Sequence, residues 1–187
     1  MLVLASSSPR RREILSNAGI EHTVLVPIGV DESVRPGEDP VHYVRRLAVD
    51  KARAITPPAG DVILAADTTV VIEGEILGKP QDAAEARWML HRLSGCEHAV
   101  LTGFCLRKDD ELLVDSAESK VRFLPLSEHE IALYVATGEP MDKAGGYGIQ
   151  TLASKFVHGI EGCFFNIMGL PIALVYQRLR ERGWIVI

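Results

Sequence analysis

The stretch "SSSPRRR", residues 6–12, puts three hydroxyls and three arginines where a short apolar run gives way to a helix. Cations at a helix N-terminus work against its macrodipole, so such a cluster carries a local cost unless an anion offsets it. Free backbone N–H groups, serine hydroxyls and guanidinium forks all suit phosphate oxygens, which makes Ser8, Arg10 and Arg11 candidate phosphate ligands. At about 100° per residue Arg11 shares a face with Ile14, Leu15 and Ala18, so it should lean inward and Arg12 toward water.

Further along, "VHYVRRLAVDKARAI" carries an apolar stripe of Val44, Leu47, Ala48 and Ile55 with Lys51 in its middle. Such a lysine either snorkels to the nearest edge or reaches into a cleft and meets an anion. Asp67 lies inside "ILAADTTVVI", a strand apolar on both faces, where a carboxylate must be paired, hydrogen-bonded or metal-bound. It is either satisfied by backbone amides and by Thr68 and Thr69, or it is catalytic or a metal ligand. A second carboxylate could come from Glu73 or Glu75, or, preferably, from Glu32 on the irregular segment "GVDESV". Two carboxylates plus substrate phosphates are a usual way to hold Mg²⁺.

Two weaker signals join these. Lys79 in "GKP" is held by a rigid neighbour, which suits either a phosphate contact or an ordinary surface turn. In "DKAGGYGIQ", Gly145, Gly146 and Gly148 permit positive φ and close approach of backbone to a ligand, and Gln150 offers a donor and an acceptor able to read a base edge. The loop is neither a Walker A motif nor GxGxxG. The six histidines lack metal-motif spacing and read as structural or exposed, and Trp88 with Met89 reads as core.

The elements that must position these residues follow from caps and periodicity. Residues 2–5 read as a strand, followed by a helix with Ser8 as N-cap and Pro9 first. Asp39 and Pro40 open the helix bearing Lys51, and residues 61–77 form a long strand entering a hairpin at Gly74. Asp82 caps a helix ending at Gly95, and strands joined by "RKDDE" fill residues 96–124. Ser127 and Glu130 make a capping box for a helix ending near Gly138. "EPMDKAGGYGIQ" reads as a loop outside regular structure, and a last helix at 171–183 precedes a strand, "WIVI". Mixed strands and helices without a repeat or a long linker predict one domain over residues 1–187, of α/β class with a mixed central sheet.

The totals exclude several classes. A chain of 187 residues, 47% hydrophobic, can bury a core unaided, and a net charge of −5 argues against nucleic acid or an anionic membrane as partner. Cys96, Cys105 and Cys163 form no CxxC pair, which points to reducing cytosol, and no apolar run approaches membrane-spanning length. Several cations, two or three carboxylates and a glycine-rich loop with a glutamine make the inventory for a nucleoside triphosphate with its metal. Without a P-loop or a kinase set, hydrolysis is expected rather than phosphoryl transfer.

Taken in order, "LASSSPRRREIL", "VDES", "DKARA", "AADTTV", "GKP", "DKAGGYGIQ" and "NIMGLP" resemble the Maf family of nucleotide pyrophosphatases from Leu4 to Pro171. The resemblance implies a mixed α/β fold related to inosine-triphosphate pyrophosphatases, two lobes around a cleft, frequent homodimers, and cleavage of a nucleoside triphosphate to monophosphate and pyrophosphate. By the same resemblance Asp67 matches the proton acceptor that activates water. Arg11, Thr68 and Gln150 match positions associated with substrate choice, and Glu32, Lys51 and Lys79 match charged positions of the phosphate and metal site. "DKAGGYGIQ" resembles the branch acting on dTTP and UTP. Ser7 stands where glycine is frequent, and residues 163–165 replace the more usual "SYY". The expected cofactor is Mg²⁺, Mn²⁺ or Co²⁺ held by Glu32 and Asp67, with Asp67 acting as base, as ligand or as both. The rival expectation is a non-catalytic, nucleotide-sensing regulator of septum formation.

Overall fold

The computed structural model describes residues 1–184, so the strand expected at "WIVI" lies, beyond Trp184, outside the described residues. The chain runs β1 (Leu2–Ala5), α1 (Pro9–Asn17), β2 (His22–Leu25), α2 (Pro40–Arg53), β3 (Val62–Ile72), β4 (Glu75–Leu77) and α3 (Ala83–Leu93). It continues with β5 (Glu97–Lys108), β6 (Glu111–Phe123), α4 (Glu128–Ala136), β7 (Val157–Glu161), α5 (Phe164–Ile167) and α6 (Ile172–Glu181). These strands make one mixed sheet in the order β2-β1-β3-β5-β6-β7, with β4 added to β3. β1 pairs in parallel with both β2 and β3, and β4 and β7 pair antiparallel to β3 and β6. The α/β class with a mixed central sheet is thus the observed one.

Local chemistry sets the boundaries. The Asp39 carboxylate accepts from the amides of Val41 and His42 at 2.9 and 3.2 Å, and Pro40 begins α2 where its missing N–H costs nothing. Ser127 and Glu130 cap α4 reciprocally, as their spacing predicts. Ser8 does occupy the N-cap of α1, but its hydroxyl makes no capping bond; its amide donates to Ser6 Oγ at 3.1 Å. Three short elements, β2, β7 and α5, escape sequence reading. "EPMDKAGGYGIQ" is not structureless either, since it contains 3₁₀ turns at Glu139–Asp142 and Ala144–Gly146.

The chain divides into two compact units. The first comprises Met1–Asp67, Thr102–Ala117 and the part from Gly169 onward. Its core joins Val3, Ala5, Ala48, Ala52, Ile55, Ile63, Ala65 and Cys105. The small side chains allow α2 to lie close on the strands. A Cβ on Gly103 in β5 would fall 2.5 Å from the Val44 backbone carbonyl of α2, so only glycine fits that contact.

The second unit comprises Thr68–Leu101 and Glu118–Met168. Its centre is aromatic: Phe123 meets Tyr147 and Phe156 edge to face, with ring centroids 4.8 and 6.3 Å apart, and Tyr134 meets Phe156 at 5.5 Å. Burying each such side chain contributes roughly 1.5–3 kcal/mol before entropy is counted. Met89 is buried here, but Trp88 is 42% exposed with the Arg92 guanidinium 5.4 Å above its ring, correcting its assignment to the core. Of the histidines only His98 is fully buried. The three cysteines are free, and no helix among the described residues is long and apolar enough to cross a membrane.

Candidate active site

The first unit holds six of the predicted residues. α2 delivers Lys51 from its buried face, β3 delivers Asp67, and the irregular segment before α2 delivers Glu32. Lys51 Nζ lies 2.6 Å from Asp67 Oδ1 and 2.7 Å from Glu32 Oε1. Lys51 and Asp67 are nearly buried, while the Glu32 side chain is half exposed, leaving one carboxylate of the pair open to solvent. Lys51, which the sequence leaves between snorkelling and meeting an anion in a cleft, is paired with two carboxylates of the protein itself.

Arg11 leans inward as its periodicity predicts, although Ala18, placed on the same face, is exposed. Its Nε donates to the Gly169 carbonyl at 2.7 Å and its Nη1 to Ser6 Oγ at 3.2 Å. Burial lowers its pKa, while the nearby Asp67 and Glu32 charges raise it and Arg10 lowers it. The arginine therefore belongs to the same charged cluster. Ser8 and Arg10 are half-buried at the start of α1, and no acidic side chain occupies that first turn.

Tyr43, absent from the sequence prediction, supports the cluster from α2. Its hydroxyl donates to the Glu32 backbone carbonyl at 3.0 Å. Burial and then the Asp67 and Glu32 charges push its pKa up to about 12, so it remains a donor at any ordinary pH. Arg46, one turn on, donates to the Ser33 carbonyl at 3.0 Å and grips Glu38 with Nε and Nη2 at 2.6 and 2.8 Å. These bonds hold an otherwise irregular segment against α2. Tyr43 precedes Leu47 by one turn on the apolar stripe, which is the signal that could have found it.

The remaining predicted residues lie in the second unit. Thr68 is half-buried on β3, Lys79 is exposed after β4, and Gln150 is half-buried on a turn. Glu73 and Glu75 are drawn to Arg92 at 2.9 and 2.8 Å, which leaves Glu32 as the carboxylate found beside Lys51. Gly145 and Gly146 have the positive φ expected of them, but Gly148 does not. A Cβ at Gly148 would fall 2.6 Å from Thr151 Oγ1 and 2.8 Å from Lys143 Cε, so those side chains would have to shift to admit one. Lys143 itself, also missed, is buried and donates to the Glu139 carbonyl and to Asp142 at 2.8 and 2.6 Å.

Among the described residues no three His, Cys, Asp or Glu side chains are grouped to enclose a metal. Glu32 and Asp67 converge on one ammonium as a pair of hard oxygen donors, which fits Mg²⁺ or Mn²⁺ provided that other oxygens, such as phosphates, complete the shell.

Fold and cluster together define a mixed α/β protein whose buried cations and paired carboxylates suit a polyanionic, metal-associated ligand. The Maf-like protein family matches residues 1–182, and the chain belongs to that family. It is 52% identical over 184 residues to a dTTP/UTP pyrophosphatase of Symbiobacterium thermophilum, covering 98% of this chain and 94% of the relative. It is equally 52% identical over 187 residues to a dTTP/UTP pyrophosphatase of Anaeromyxobacter sp., covering 97% and 89%. Among solved structures, the Ham1 protein of Staphylococcus aureus superposes with a TM-score of 0.56 at 14% identity, over 97% of this chain and 98% of that one. A HAM1 protein from Coxiella burnetii gives 0.53 at 15%, over 96% and 98%. The fold is therefore Ham1-like, as the sequence resemblance implies.

Proposed function

We propose that the chain is a nucleoside triphosphate pyrophosphatase that hydrolyses dTTP and UTP to the monophosphate and pyrophosphate. The observation that carries this reading is Lys51 Nζ within 2.7 Å of both Asp67 and Glu32, beside buried Arg11, in a chain half identical to relatives that bear this activity in their names.

In this reading Ser8, Arg10 and Arg11 bind the triphosphate at the start of α1, and Lys51 and Lys79 offset negative charge as it moves onto pyrophosphate. Asp67 accepts the proton of the attacking water, and Glu32 and Asp67 hold the metal. A bound Mg²⁺ or Mn²⁺ would supply Lewis-acid polarisation of a phosphoryl oxygen. Lys51 orients both carboxylates until substrate arrives, and Tyr43 fixes the segment from which Glu32 projects. Thr68 and Gln150 read the pyrimidine. We further propose that the protein works in the cytosol as a homodimer, a reading that size-exclusion chromatography with light scattering tests directly.

The deciding assay measures pyrophosphate against single phosphate released from a panel of ribo- and deoxyribonucleoside triphosphates, with Mg²⁺ and with EDTA. Metal-dependent pyrophosphate release greatest for dTTP and UTP is expected. Nucleotide binding without turnover would overturn the reading in favour of a nucleotide sensor.

A further inference from the structure

Gln150 stands on a four-residue turn, residues 148–151, closed by Thr151 N donating to the Gly148 carbonyl at 3.3 Å. One carboxylate grips this turn. Glu139 Oε1 lies 2.6 Å from Thr151 Oγ1 and 2.9 Å from the Tyr134 hydroxyl, and Glu139 Oε2 accepts from the Leu152 amide at 3.4 Å. Thr151 Oγ1 is also 3.1 Å from the Gly148 carbonyl, but its single proton is better placed on the nearer, charged acceptor. Glu139 is itself tied down: its amide donates to Thr137 Oγ1 at 3.2 Å, and its carbonyl accepts from buried Lys143 at 2.8 Å. Burial raises the Glu139 pKa, but the bonds from Thr151, Tyr134 and Leu152 and the Lys143 charge outweigh it, so the net shift is downward and the group stays ionised. All of these residues belong to the second unit.

We infer that Glu139 and Thr151 form a latch that fixes the turn carrying Gln150 and thereby sets the choice of base. The inference rests on the proposed role of Gln150 as base reader. Both are positioning residues, acting through the turn and not through contact with the reacting atoms. A glutamine on a loose turn offers its amide at many angles, and a base-edge contact discriminates only when donor and acceptor are held to within about half an ångström. The charge of Glu139 and the hydroxyl of Thr151 supply that fixity.

The test compares kcat/KM for UTP and CTP in the full chain and in Thr151→Val, Thr151→Ser and Gln150→Ala, with thermal midpoints recorded for each. Valine keeps the shape of threonine and removes the donor, whereas serine keeps the donor. Thr151→Val is expected to lower the UTP preference roughly tenfold, through KM more than kcat, and Thr151→Ser to restore it. A Thr151→Val protein that keeps the wild-type preference while Gln150→Ala loses it overturns the latch and leaves the base reader standing. Unchanged preference in both variants overturns both ideas. Should Thr151→Val not fold, Tyr134→Phe removes another donor to Glu139, and the same comparison decides.

Discussion

The Lys51 ammonium and the Asp67 carboxylate lie 2.6 Å apart, each about one-tenth exposed, with the more open Glu32 2.7 Å from the same ammonium. A lysine so placed compensates two like charges at once. Removing it leaves Asp67 without its paired cation in a setting of low polarity, and removing Asp67 leaves the lysine its second carboxylate. The two substitutions should therefore differ in kind. Asp67→Asn is expected to fold and to lose about 10²–10⁴-fold in pyrophosphate release, whereas Lys51→Met should lose activity and also about 3 kcal/mol of stability. Urea midpoints measured beside the rates check this, and near-full turnover by Asp67→Asn would sink the assignment of the base.

Arg11 makes two bonds that depend on the shape of its guanidinium, one to the Gly169 carbonyl and one to Ser6. Lysine keeps the charge and loses the fork. Arg11→Lys should raise KM for dTTP about tenfold or more with a smaller fall in kcat. An unchanged KM would show that charge alone suffices at this position.

Gly103→Ala should lower the melting temperature although the residue touches no proposed ligand. The added methyl meets the Val44 backbone at 2.5 Å, and backbone cannot rotate aside as a side chain can. A cost of about 1–3 kcal/mol is expected, in line with overpacking elsewhere. Because α2 carries Lys51 and Tyr43, the survivors should also show reduced kcat. Differential scanning calorimetry and steady-state kinetics on the same preparation check both parts.

His98 predicts a pH dependence of stability. Burial holds its pKa down to about 4 against an ordinary 6.5, while its Nε2 sits 2.7 Å from the Tyr147 hydroxyl and its ring packs on Phe123. The unfolded chain takes up a proton in that interval and the folded chain does not. Stability is therefore fully present above about pH 6.5 and falls by up to about 1.4 kcal/mol per pH unit as pH drops toward 4. His98→Gln, which cannot titrate, should show a flatter profile of melting temperature over this window. Identical slopes would rule out His98 as the source.

What the sequence revealed was whatever a charge in the wrong place can reveal. Lys51 and Asp67 stood out because each broke an apolar pattern, and the structure joins them with Glu32, the carboxylate preferred for its irregular setting. Glu139, Thr151 and Lys143 broke no pattern, because polar side chains in a glycine-rich loop are what loops ordinarily contain. Their interest lies in bonds to one another, which have no periodicity. Gly103 was equally silent, since within "LTGFCL" it reads as one small residue in a strand, and the helix backbone it touches is brought there only by tertiary packing. Trp88 misled for the converse reason: its size suggested burial, but a cation over its ring lets it face water.

The path of the chain through its two units has a consequence for how such a protein could arise. The first unit takes its material from three separated stretches and the second from two, and the join between them in β3 falls between Asp67 and Thr68. A gene fragment encoding either unit without the other does not exist as one continuous piece. The proposed hydrolytic carboxylate and the first proposed base-selecting side chain are adjacent codons. A swap of one continuous gene segment therefore cannot exchange either unit whole.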